Sequence, residues 1–74
     1  MKISDVLSSD PEIVSGAVVF KGTRVPVDAF LENIAGGMSI KEFLEDFPTV
    51  ERYQIEALLQ VLADDAKRSF PRAA

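Results

Sequence analysis

Chemistry has few places to reside in this chain. Its 74 residues include no His and no Cys. That removes the commonest general base, the commonest transition-metal ligand and any thiolate nucleophile. Carboxylates remain: Glu42, Glu45 and Asp46 fall on one side of a predicted helix, and Asp64-Asp65 on another. Paired carboxylates can hold magnesium or run acid–base catalysis. No His and no phosphate-cradling loop accompanies these, so they read as solvated helix faces. Thr23 has no base to activate it and reads as a turn hydroxyl rather than a nucleophile. The expectation is a protein that is not an enzyme and uses no metal and no cofactor.

Binding is the chemistry that the cations suit. Arg24 lies in a glycine turn near Lys21. A fork-shaped donor there can contact phosphate or enter an acidic pocket on a partner. Its competing role is structural, bonding free carbonyls or Asp28 to pin the turn. Arg52 and Gln54 fall in the first turns of the last predicted helix, where a recognition helix presents base-reading side chains, although Glu51 and Glu56 are interleaved with them. The nucleic-acid candidates are therefore Lys21, Arg24, Lys41, Arg52 and Gln54. The tail Lys67-Arg68-Ser69-Phe70-Pro71-Arg72 combines three cations with an aromatic anchor, the makings of a short segment that orders on a partner. A frayed chain end is its competing reading. The partner-binding candidates are Arg24, Lys67, Arg68, Phe70 and Arg72. Twelve acidic against eight basic residues give a net charge of −4, which argues against a strong phosphate-binding surface. Any DNA binding is expected to be weak and steeply salt-dependent.

These residues must be positioned by a small domain. No apolar run approaches the ~20 residues of a membrane span, and the amino terminus lacks a secretory pattern. The expectation is a soluble, cytoplasmic protein. Ile3, Val6 and Leu7 are apolar enough to dock on the body, and Ile13-Val14 suits a short strand. Ala17 to Phe20 is an apolar, strand-forming run, Gly22 permits a reversal, and Arg24 to Val27 is a second extended run closed by Pro26. Then the apolar period becomes helical. Val27, Phe30, Leu31 and Ile34 share a face, with Asp28 suited to cap and Gly36-Gly37 to stop the helix. Ser39-Ile40-Lys41-Glu42 reads as a capping box before the stripe Ile40, Phe43, Leu44 and Phe47, which Pro48 ends. Thr49 suits the cap of a last helix whose buried face is Ile55, Leu58, Leu59 and Leu62, fading near Lys67-Arg68. The predicted fold is mostly α with a small N-terminal β-hairpin and a three-helix, helix-turn-helix-like bundle. One domain is expected: residues 1–27 as N-terminal segment and hairpin, 28–68 as bundle, 69–74 as tail.

The run Gly22-Thr23-Arg24-Val25-Pro26-Val27 resembles the core motif of domain-of-unknown-function family 433, whose members include VapB-type antitoxins. Asp10-Pro11-Glu12-Ile13 with Gly16 lies upstream at the family's spacing, and Gly37-Met38-Ser39, Glu42, Asp46-Phe47-Pro48 and then Ile55 and Ala57 with Leu58 and Leu59 come downstream. Val18 stands where the family often has Pro, and Glu51 close to where it often has Ser or Thr. The resemblance implies an antitoxin-like protein that binds and neutralises a small, PIN-like nuclease toxin. An Arg or Lys would intrude among the toxin's metal-binding carboxylates, and helix-turn-helix DNA binding would regulate the gene. A stand-alone regulator, or an interaction module without nucleic-acid binding, are the alternatives. A homodimer is expected as well, because the run Val18, Val19 and Phe20 offers an apolar strand edge on a very small domain.

Overall fold

The computed structural model describes residues 3–12 and 16–70. A single 3-10 turn, Ile3–Asp5, leads into β1 (Leu7–Ser9), β2 (Val18–Phe20), α1 (Val27–Ala35), α2 (Ile40–Asp46) and α3 (Arg52–Ser69). Three helices and a two-stranded antiparallel hairpin near the N-terminus match the predicted fold class. The strand suggested over Ile13-Val14 lies outside the described residues.

The hairpin is paired differently from the sequence expectation. β2 takes β1 as its ladder partner, in the register Leu7↔Phe20, Ser8↔Val19 and Ser9↔Val18. The expected partner, Arg24 to Val27, supplies only one bridge, Val19↔Pro26, and the carbonyl of Val25, which accepts from the Phe20 N–H at 3.0 Å. The reason is local: Pro26 has no N–H to donate, and Val27 already begins α1. β2 therefore lies between β1 and the extended residues after the turn.

This central position carries Val19 and Phe20 into the core, both with 0 % exposure. The core itself is built around one aromatic from each of β2, α1 and α2. Phe20 of β2 meets Phe30 of α1 edge-on at 6.1 Å, and Phe30 meets Phe43 of α2 at 5.0 Å. Phe43 in turn stacks on Phe47 at 4.6 Å. Val50, Ile55 and Leu58 close the cluster from the α3 side. Burying each ring is worth ~1.5–3 kcal/mol, with about 0.5–1.5 more from each aromatic pair.

The helix ends follow the sequence closely in two places and depart from it in two. Ser39 and Glu42 form the reciprocal capping box, each N–H to side-chain oxygen distance being 3.1 Å. α1 stops at Gly36, and Gly37 takes φ +106°, a left-handed conformation that favours glycine. At the start of α1, however, Pro26 occupies the cap position and Asp28 sits in the first turn, favourable to the helix dipole without capping. At α3 the cap is Glu51 rather than Thr49. Val50, only 4 % exposed, is drawn into the core, and that moves the helix start past it.

Candidate interaction surfaces

Two regions hold several of the candidate residues, and each is made by a different local logic. The first is the turn after β2. Gly22 has φ +79°, and the Thr23 N–H donates to the Phe20 carbonyl at 3.0 Å. The Thr23 hydroxyl donates to the same carbonyl at 2.7 Å and accepts from the Val25 N–H at 3.0 Å. Thr23 is buried, so one small side chain closes the turn from inside, the hydroxyl role expected of it.

Gln54 fastens this turn to α3. Its Oε1 accepts from the Glu51 N–H at 2.9 Å, and its Nε2 donates to the Lys21 carbonyl at 3.0 Å. A longer contact from Nε2 reaches the Val6 carbonyl at 3.5 Å, and the Lys21 N–H donates to that carbonyl at 2.8 Å. Gln54 is 2 % exposed. It was a base-reading candidate in the sequence, and the structure corrects that: both ends of its amide are used inside the fold. Its place three residues after the Glu51 cap was the available signal, because Gln there can reach back to the cap N–H.

With Thr23 pinning the turn, Arg24 is left over. Its side chain is exposed, and among the described residues its guanidinium has no hydrogen bond or ion pair. It lines an open cleft of about 560 Å³ together with Ser8, Gly22, Thr23, Val25 and Thr49, next to the turn between α2 and α3. The alternative structural role, a bond to Asp28, is not formed. Lys21 is exposed with its amine tied to the Ser4 carbonyl at 3.1 Å, so it stands beside the cleft without lining it. Lys41 and Arg52 are exposed in the first turns of α2 and α3.

The second region is the outer half of α3. Leu59 and Leu62, expected on its buried face, are 40 % and 43 % exposed. Residues 62–70 are exposed throughout. Among the described part of the tail, Phe70 is 82 % exposed, Lys67 is unpaired, and Arg68 makes a solvent-exposed pair with Asp65 at 3.7 Å, an interaction of small worth. Arg72 lies outside the described residues. The doublets Leu58-Leu59 and Val61-Leu62 were the sequence signal that went unread. Adjacent helical residues are about 100° apart, so paired apolar neighbours span more arc than one packed face uses.

The dimer candidates need correction too. Val18 is half-exposed, at 49 %, whereas Val19 and Phe20 are fully enclosed by their own domain. No apolar strand edge is presented by this run. The clustered carboxylates are exposed as expected, and among the described residues no group of three or more could hold a metal ion. Among the described residues Glu42 alone shows a displaced pKa, held below the ordinary carboxylate value by hydrogen bonds from the Ser39 backbone and then its side chain. No helix among the described residues is long and apolar enough to cross a membrane.

A family model described as a protein of unknown function, DUF433, matches residues 7–60. The match covers β1 through the turn, α1 and α2, and ends within α3. An uncharacterized protein, y4eO, from Sinorhizobium fredii (strain NBRC 101917 / NGR234) is 35% identical over 51 residues. That alignment covers 69% of this chain and 23% of the relative, so the chain spans under a quarter of that protein's length. No solved structure matches.

Proposed function

We propose that this chain, which belongs to the DUF433 family, is a non-catalytic, antitoxin-like protein that binds and neutralises a small nuclease in the cytoplasm. The observation that carries the reading is Arg24. A guanidinium with no partner among the described residues stands at an open cleft, on a turn held by Gly22 and by three hydrogen bonds around Thr23. Ordering a long cation ordinarily costs side-chain entropy on binding, and a fixed backbone beneath it lowers that cost. Its natural counterpart is a carboxylate cluster such as a nuclease uses for magnesium, where bidentate pairing would block the metal.

Neutralisation by this route needs no chemistry from the chain itself. The test is co-expression with the product of the adjacent gene, read as growth. The toxin alone should arrest growth, this chain should restore it, and Arg24→Ala should abolish the rescue with thermal unfolding unchanged. Rescue by Arg24→Ala equal to the native chain would remove the basis of the proposal.

Operator contact, in the same proposal, falls to Arg52 with help from Arg24 and Lys41, and the protein acts as a homodimer. A second reading, an interaction module without nucleic-acid binding, is favoured by one observation: the Gln54 amide is spent inside the fold, and Glu51 and Glu56 flank what remains. Mobility shifts on the upstream DNA at several salt concentrations separate the two. Binding that vanishes between low and physiological salt suits the few available cations, and none at any salt favours the module.

A further inference from the structure

We propose that the outer face of α3 is covered by a second copy of this chain, with the two helices antiparallel. The inference names the surface of the homodimer above and does not depend on the antitoxin reading. Four exposed residues, Leu59, Ala63 and Ala66 of α3 and Phe70 at its C-cap, recur at steps of four, three and four, with exposed Leu62 beside them. That is the spacing of a helix–helix seam, and the two alanines let backbones approach. The body does not use this stripe, because its core ends at Leu58.

Charge selects the occupant and its direction. Glu56 and Lys67 are both exposed, and neither has an ion-pair partner among the described residues. At about 100° per residue their eleven-residue separation returns them to within roughly 20° of each other, on one flank of the stripe. In an antiparallel pair with a two-fold axis near Val61 and Leu62, that flank meets its own copy, and Glu56 of each chain faces the partner's Lys67. A parallel pair would set the charged flank against the opposite one, which carries Leu62 and Ser69 and offers no complementary charge.

Sedimentation equilibrium on the full chain tests the proposal. The native protein should approach dimer mass as its concentration rises through the micromolar range. Leu59→Ser should weaken association about tenfold or more, as loss of a seam anchor does, while its thermal midpoint at low concentration stays within a degree or two of native. Glu56→Lys should weaken it by about threefold, the scale of an exposed ion pair, and Glu56→Lys combined with Lys67→Glu should restore it. Monomer mass throughout would overturn the proposal and leave the face to a different protein. A double variant no tighter than Glu56→Lys alone would overturn the antiparallel arrangement.

Discussion

Around Thr23 the backbone is tied at several points. The Phe20 carbonyl takes two donors, the Val25 N–H finds the Thr23 hydroxyl, and Gln54 reaches across from α3 to hold the Lys21 carbonyl. Ten residues further along α3 than Gln54, no described residue outside the helix is hydrogen-bonded or ion-paired to Asp64 or its neighbours, and residues 62–70 are all exposed. Both regions present functional candidates, but the turn presents a cation on fixed backbone while the helix end presents an apolar stripe on a projecting rod. An α-helix of 18 residues is ~27 Å long, and the molecule extends 43 Å in its longest direction against 20 Å in its shortest. The difference teaches what each region suits: the turn suits insertion into a site, the helix end suits lateral packing that orders it.

The sharpest contrast comes from two adjacent valines. Val19→Lys places a charge in the core beside Phe20 and should leave the chain unfolded at room temperature, since unpaired buried charge is among the costliest of substitutions. Val18→Lys, at a half-exposed position, should change stability by no more than ~0.5 kcal/mol. Circular dichroism melts decide it. If Val19→Lys stayed folded and merely dissociated a dimer, the strand-edge interface would return and the enclosure of β2 would be wrong.

Gln54→Ala comes next in size. Removing the amide strands the Glu51 N–H and the Lys21 carbonyl, a loss of about 1–3 kcal/mol. Urea unfolding should show it as a lower midpoint with unchanged slope. The same variant should leave any DNA binding per folded molecule unaltered, because the amide faces inward.

These two predictions mark where sequence reading stopped. The Ser39–Glu42 box and the Gly36-Gly37 stop were legible because both depend on neighbours within four residues. Three helices and their apolar stripes were legible for the same reason. The β1–β2 pairing was not: Ser8 and Ser9 carry no strand signal, and only the three-dimensional burial of Leu7 and Val19 recruits them. Gln54 read as a polar surface residue because its partners, Lys21 and Val6, lie far off in sequence. Arg24 was legible as the residue to watch, while the identity of the turn's internal brace, Thr23, left it without a partner among the described residues. Leu59 and Leu62 follow the helical spacing of α3, but the doublets they form with Leu58 and Val61 widen the apolar arc beyond what this small body covers.

A smaller effect isolates one helix start within the body. Ser39→Ala should cost about 0.5–2 kcal/mol through loss of the cap. Glu42 adds a pH dependence whose sign is set by its lowered pKa. Its folded-state carboxyl binds a proton less readily than the unfolded one, so its contribution is full above the ordinary carboxylate value and is lost as pH falls through the lowered one. Glu42→Gln should therefore make the acid limb of the melting profile shallower. An unchanged acid limb would mean the box adds nothing in solution.

Smallest of all should be truncation after Ala66, which removes Lys67, Arg68 and Phe70 with whatever follows. Thermal stability at low concentration should move by less than ~0.5 kcal/mol, the range of surface changes. Self-association should weaken, because Lys67 and Phe70 leave the seam, while rescue of growth should survive through Arg24. Loss of rescue with self-association intact would transfer the toxin-binding role to the tail.

The division between a tied body and a projecting helix is tested most directly by native-state hydrogen exchange along α3 at two concentrations. At about 10 µM the amides from Ile55 to Leu59 should exchange only with global unfolding, and those from Asp64 to Ser69 much faster through local opening. At about 500 µM the outer amides should gain protection by mass action as the second copy covers them, with the inner ones changed far less. Uniform slow exchange along the whole helix at the lower concentration would contradict the account, since it would mean that the outer half of α3 belongs to the body after all.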